Sequence, residues 1–137
     1  PDFKYWREEM TKTYLKSPVY PAAARAALKE MHRQVGDLDF DESGLARRGV
    51  LVRHLVMPDA QEDTRAIMRF LAEEISPDTY VNIMDQYRPE GRVGPQKYSE
   101  INRRITSREL DEAYEAARDA GLHRFDERRK TALLKWL

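Results

Sequence analysis

Two apolar runs along the chain have the composition of β-strands. Residues 50–57 read Val-Leu-Val-Arg-His-Leu-Val-Met and stop at Pro58, and residues 80–85 read Tyr-Val-Asn-Ile-Met-Asp. Both runs are rich in β-branched and apolar residues and have the length of ordinary strands. Because the first run is almost continuously apolar, we expect it to be a parallel strand covered on both faces.

Apolar positions spaced three and four residues apart predict three helices, over residues 21–35, 60–75 and 107–120. The third helix is preceded by Thr106-Ser-Arg-Glu109, which has the pattern of a capping box. Residues 37–44 end in a glycine that indicates a hairpin turn.

Strands and helices therefore alternate, and the first six residues fit the end of a strand that runs into a loop. This alternation predicts an α/β fold in which parallel strands are flanked by helices. A closed barrel of eight such units takes about 250 residues, and this chain has 137. We therefore interpret the chain as a sector of a β/α barrel.

The charge of the chain is balanced, because Lys+Arg and Asp+Glu each number 24. Basic pairs such as Arg47-Arg48 and Arg103-Arg104 are consequently interpreted as solvated helix ends or ion pairs, and no nucleic-acid partner is expected. No apolar run reaches the ~20 residues of a membrane helix, and no signal peptide opens the chain. We expect a cytoplasmic protein without a membrane partner.

The sequence contains no cysteine. A disulfide, a thiolate nucleophile and a Cys-ligated iron–sulfur cluster are therefore excluded within these residues. The chain begins at Pro1, and its second residue already belongs to a motif. We interpret this start as an artificial or proteolytic boundary.

Polar residues lie at the carboxyl ends of the predicted strands, where active sites of β/α folds gather. Asp2 and Lys4 point the same way on an extended segment, and this pair of charges suits a zwitterionic ligand, although the spacing alone favours a surface ion pair. The Asp85-Gln-Tyr-Arg88 cluster fits a ligand-facing group and a solvated turn about equally well.

Arg53 and His54 interrupt an apolar strand and face opposite ways. For His54 we expect a core histidine with satisfied hydrogen bonds rather than a catalytic residue or metal ligand. A buried, unpaired charge at Arg53 would cost several kcal/mol. We therefore expect its side chain to converge with Asp2 and Lys4 on one polar cavity.

Four segments, in this order and spacing, resemble the pyruvate formate-lyase activating enzyme-like branch of the radical S-adenosylmethionine superfamily. The resemblance covers residues 2 to about 128. The segments are Asp2-Phe-Lys-Tyr-Trp6, Arg48-Gly-Val-Leu-Val-Arg-His-Leu-Val-Met-Pro58, Ile75-Ser-Pro-Asp-Thr-Tyr-Val-Asn-Ile-Met-Asp-Gln-Tyr-Arg88 and Glu100-Ile-Asn-Arg-Arg-Ile105.

The resemblance implies a partial (β/α)6 barrel, of which residues 1–129 would be the C-terminal portion and residues 130–137 an amphipathic tail. It implies S-adenosylmethionine and a [4Fe–4S] cluster, held by a Cys-x3-Cys-x2-Cys motif, as cofactors. It also implies a 5′-deoxyadenosyl radical that abstracts hydrogen from a substrate, which in activating enzymes is a backbone glycine of a glycyl-radical partner protein.

The resemblance also implies roles for individual residues of this chain. The residues implied to bind the cosubstrate are Asp2, Lys4, Arg53, Leu55 and Arg88, and those implied to contact substrate are Asp85, Gln86 and Tyr87. Well-known members often carry His at the position of Arg88.

The family's cysteine motif is absent from this chain, so we expect these residues alone to be inactive. The competing hypothesis is a stand-alone, non-catalytic interaction domain, which would explain the missing cysteines without a longer parent.

Overall fold

The computed structural model describes residues 1–127. Its helices are α1 (Glu8–Met10, continued by a π-helical turn at Thr11–Leu15), α2 (Tyr20–Val35), α3 (Gln61–Phe70, continued by a π-helical turn at Leu71–Ile75) and α4 (Ser107–Asp119). Its strands are β1 (Asp39–Phe40), β2 (Ala46–Arg48), β3 (Leu51–Leu55), β4 (Tyr80–Met84) and β5 (Arg124–Phe125), and a 3-10 turn spans Ser99–Ile101.

The main sheet is parallel, with the strand order β3-β4-β5. Residues 1–4, called the edge segment below, extend it, because Asp2 forms a parallel bridge with Arg53. Strands β1 and β2 form a separate antiparallel hairpin. The mixed α/β fold, its parallel strands, the three helices and the hairpin predicted from the sequence are confirmed.

One face of the main sheet is buried beneath the helices. Phe3, Val52 and Val81 have no exposed surface, and Ile83 is 6% exposed. These residues form one apolar cluster with side chains of α3 and α4, including Ile67 and Phe70 of α3 and Ala117 of α4.

The opposite face of the sheet is open, so the expectation that residues 50–57 are covered on both faces is wrong. Val52 and His54 are buried, whereas Leu51 and Leu55 are only partly buried and Arg53 is exposed. Helices α2, α3 and α4 pack on the face that carries Val52. On the other face, Leu55 shares a small apolar cluster with Met10 and Tyr14 of α1 and its π-helical turn, and Arg53 is exposed.

No helix within residues 1–127 is both long enough and apolar enough to cross a bilayer. The predicted tail, residues 130–137, lies outside the described residues.

Candidate functional site: a charged cluster on the open sheet face

Asp2, Lys4 and Arg53 form one cluster on the open face of the sheet. The carboxylate of Asp2 lies 3.3 Å from the Lys4 Nζ and 3.3 Å from the Arg53 Nε. Side-chain exposures of 35% for Asp2, 32% for Lys4 and 51% for Arg53 leave all three accessible to a ligand. The three side chains lie together, as predicted, but they lie on an exposed face and not in the predicted polar cavity, and the charge of Arg53 is not buried.

Backbone pairing places this cluster. Phe3 N–H donates to Arg53 O at 2.9 Å, and Arg53 N–H donates to Pro1 O at 2.8 Å. In parallel pairing, bridged residues project their side chains to the same face of a sheet. Asp2 therefore stands beside Arg53, and Asn82 of β4 is the next residue in the same row.

The chain that leaves the edge segment is anchored by Asp63 of α3, whose side chain has no exposed surface. One carboxylate oxygen of Asp63 accepts from the backbone N–H groups of Trp6 and Arg7, both at 2.8 Å. The other accepts from the Arg7 guanidinium at 2.9 Å and 2.8 Å. The buried aspartate fixes the direction in which the chain turns away from Lys4.

His54 is a core residue, as expected, and lies on the face opposite to Arg53. Its Nδ1 is 2.7 Å from Phe3 O and its Nε2 is 3.0 Å from Thr64 Oγ1, so both ring nitrogens are hydrogen-bonded. Burial lowers the pKa of His54 to about 4, against opposing effects of the Phe3 carbonyl and Asp63. A neutral imidazole with both nitrogens engaged has a structural role here.

The four residues that follow β4, predicted as one polar cluster, differ in their exposure. Asp85, Gln86 and Arg88 are exposed, while Tyr87 is partly buried and donates its hydroxyl to Ile101 O at 3.0 Å. Tyr87 packs, together with Leu55, against a small apolar cluster formed by Tyr5, Met57 and Ala60. Leu55 and Tyr87 thus share one cluster at the carboxyl end of the sheet.

Two groups at this end were not anticipated. The side chain of Tyr5 is fully buried, and its hydroxyl has no hydrogen-bond partner among the described residues.

The second group is Glu109. Its carboxylate accepts from the two terminal guanidinium nitrogens of Arg103, each at 2.8 Å, and Arg103 also pairs with Asp59 at 3.0 Å. The Arg103 guanidinium keeps the pKa of Glu109 near 2. The only sequence signal for this network was the capping box that contains Glu109.

The Asp2–Lys4–Arg53 cluster carries two cations and one anion. Its net positive charge favours binding of an anionic group near Lys4 and Arg53. The Asp2 carboxylate can pair with an ammonium group. Within the part of the chain that the structure describes, no group of three or more His, Cys, Asp or Glu side chains is arranged to hold a metal ion.

Comparison with known proteins yields a relative but no family. The chain is 41% identical over 69 residues to an uncharacterized protein of Methanocaldococcus jannaschii. The matched residues make up 50% of this chain but only 20% of that relative, so the match spans about one fifth of the relative's length. No protein-family model and no solved structure matches the chain.

Proposed function

We propose that this chain is the C-terminal part of a radical S-adenosylmethionine enzyme that resembles pyruvate formate-lyase activating enzymes. The observation that carries the proposal is the contact of the Asp2 carboxylate with both Lys4 and Arg53, on the open face of a parallel sheet. This face would line the interior of a partial (β/α)6 barrel, and the carboxyl ends of barrel strands are where ligands bind.

The cluster has the charges that the amino-acid end of S-adenosylmethionine requires. Asp2 would hold the ligand's ammonium group, and Arg53 with Lys4 would hold its carboxylate. Leu55, two residues after Arg53, shares an apolar cluster with Tyr87 at the carboxyl end of the sheet, and Asp85 and Arg88 lie on the exposed segment that follows β4. On one-electron reduction and loss of methionine, such a ligand would supply a 5′-deoxyadenosyl radical that removes hydrogen from a substrate.

The chain does not fit the [4Fe–4S] cluster that this chemistry requires, because it contains no cysteine. We propose that the cluster ligands belong to other residues of a longer polypeptide. The relative supports this view, since the match covers only 20% of it. By the same resemblance, the proposed substrate is a backbone glycine of a glycyl-radical-type protein.

Anaerobic purification followed by iron and sulfide analysis tests the proposal. Residues 1–137 alone are expected to bind no cluster after reconstitution. The full-length protein is expected to bind about four irons and four sulfides. With added S-adenosylmethionine and a chemical reductant, it is expected to release 5′-deoxyadenosine and methionine. A full-length protein without iron would contradict the proposal and favour the non-catalytic interaction domain, which the absence of cysteine also permits.

A further inference from the structure

Three cations surround the side chain of Tyr98, on the segment that leads from β4 to α4. The Lys16 Nζ donates to the Tyr98 hydroxyl at 2.7 Å. The Nζ atoms of Lys16 and Lys97 each lie 5.2 Å from the centroid of the Tyr98 ring. The hydrogen bond from Lys16, together with the charges of Lys16, Lys97 and Arg92, lowers the pKa of Tyr98. Lys16, Arg92 and Lys97, called the cationic patch below, therefore converge on one tyrosine.

The positive charge of the cationic patch is not neutralised within the part of the chain that the structure describes. Lys16, Arg92 and Lys97 are exposed, and no carboxylate among residues 1–127 forms an ion pair with them. The neighbouring Glu100 accepts instead from the hydroxyl of Tyr14. The whole chain, by contrast, has no net charge. A local excess of positive charge of this kind attracts an anionic partner.

The backbone holds the centre of the cationic patch in an unusual conformation. Lys16 has a φ of +56° and Tyr98 a φ of +57°, in the left-handed region that residues with side chains rarely adopt. Lys16 follows the π-helical turn of α1, and its Nζ also donates to Thr13 O at 2.8 Å. Residues held in such conformations concentrate at functional sites and ligand clamps. The contact between these two residues fixes where the charges of the patch stand.

We infer that the cationic patch docks an acidic peptide segment of a partner protein. Apolar surface adjoins the charges, because Leu15 directly precedes Lys16 and Val19 follows it by three residues, and their exposures are 38% and 68%. This combination fits a peptide that carries carboxylates and apolar side chains. A nucleic acid is favoured by a longer basic stripe, whereas the patch has three cations. The patch shares no residue with the Asp2–Lys4–Arg53 cluster, so the inference is independent of the proposed function.

Fluorescence anisotropy tests the inference with a fluorescein-labelled hexapeptide of four glutamates and two leucines. Wild type is expected to bind it at low ionic strength, to release it as salt is added, and not to bind the same peptide with glutamine in place of glutamate. The triple variant Lys16→Gln, Arg92→Gln, Lys97→Gln removes the charges and keeps side chains of similar length. It should bind about tenfold more weakly, as the loss of three exposed ion pairs predicts.

The matched control is the triple variant Arg47→Gln, Arg65→Gln, Arg69→Gln, which removes three exposed cations of β2 and α3 and has the same net charge. It should bind as wild type does, and circular dichroism checks that both triple variants are folded. Equal losses in the two variants would mean that net charge alone acts, and would overturn the inference, as would a wild type that does not bind the acidic peptide. Tighter binding of an oligothymidylate of equal charge, lost in the patch variant, would assign the patch to nucleic acid instead.

Discussion

Replacement of Asp63 by alanine should destabilise the protein more than any loss of a surface charge. The side chain of Asp63 is fully buried and makes four contacts, two with the backbone N–H groups of Trp6 and Arg7 and two with the Arg7 guanidinium. Removal would leave two backbone N–H groups without their acceptor, whereas the Arg7 guanidinium, 33% exposed, would keep its pairs with Glu9 and Glu62. A buried donor left without its acceptor costs about 1–3 kcal/mol, so for two such donors we expect a loss of about 2–6 kcal/mol.

Two further variants separate the contribution of the Asp63 charge to stability from those of its hydrogen bonds and of the exposed ion pairs. Asp63→Asn keeps an oxygen for the two N–H groups but removes the charge, so we expect about 1.5–3 kcal/mol, the range for hydrogen bonds to charged groups. Glu9→Ala removes one of two exposed carboxylates that also pair with Arg7, the other being Glu62 at 3.2 Å. The Glu9 carboxylate lies 3.3 Å from the Arg7 guanidinium, and its side chain is 73% exposed. Because exposed ion pairs contribute little, this change should cost less than about 1 kcal/mol.

Urea denaturation, followed by far-UV circular dichroism and tryptophan fluorescence, measures these differences by linear extrapolation. Trp6 donates its own backbone N–H to Asp63, so its emission should respond to the change. A loss below about 1 kcal/mol for Asp63→Ala, or equal losses for Asp63→Ala and Glu9→Ala, would refute the assignment of Asp63 as the anchor of this turn.

Two other predictions concern His54 and Gly49. Burial lowers the pKa of His54 from 6.5 to about 4. Between these pH values the unfolded chain binds a proton that the folded chain does not. The free energy of unfolding should therefore fall by about 3 kcal/mol as the pH drops from 6.5 to 4. Urea titrations of wild type and His54→Gln at several pH values should show this slope only in wild type; equal slopes would contradict it. Gly49→Ala should cost about 2–4 kcal/mol, since Gly49 has a φ of +108° and an added Cβ would lie 2.1 Å from Asp37 O; unchanged thermal stability would contradict this.

The alternation of apolar runs was sufficient to predict the parallel strands and the helices that flank them. It could not show that only one face of β3 is covered. That outcome depends on which side of the sheet the helices pack, and Leu51 and Leu55 look no different in the sequence from buried leucines. Arg53, placed between them, was the local sign of an open face.

The candidate site was predictable where it follows strand geometry. Asp2 and Lys4 share a face because they are two residues apart, and Arg53 joins them because parallel pairing aligns it with Asp2. The bonds of the Tyr20 hydroxyl to Asp2 O and Lys4 N–H, and the Asp63 anchor, were not predictable. Their partners lie 16 to 18 and 56 to 57 residues away in the chain, and the partners include backbone groups that carry no sequence signature.

The role of the Asp2–Lys4–Arg53 cluster is tested most directly by equilibrium binding of S-adenosylmethionine to the full-length protein, measured by isothermal titration calorimetry. Lys4→Ala and Arg53→Ala should each weaken binding by about tenfold or more, the equivalent of one lost charge-assisted hydrogen bond, with the iron content unchanged. Arg47→Ala, an exposed arginine of the hairpin strand β2, is the control and should bind as wild type does. Wild-type affinity in both Lys4→Ala and Arg53→Ala would contradict the account.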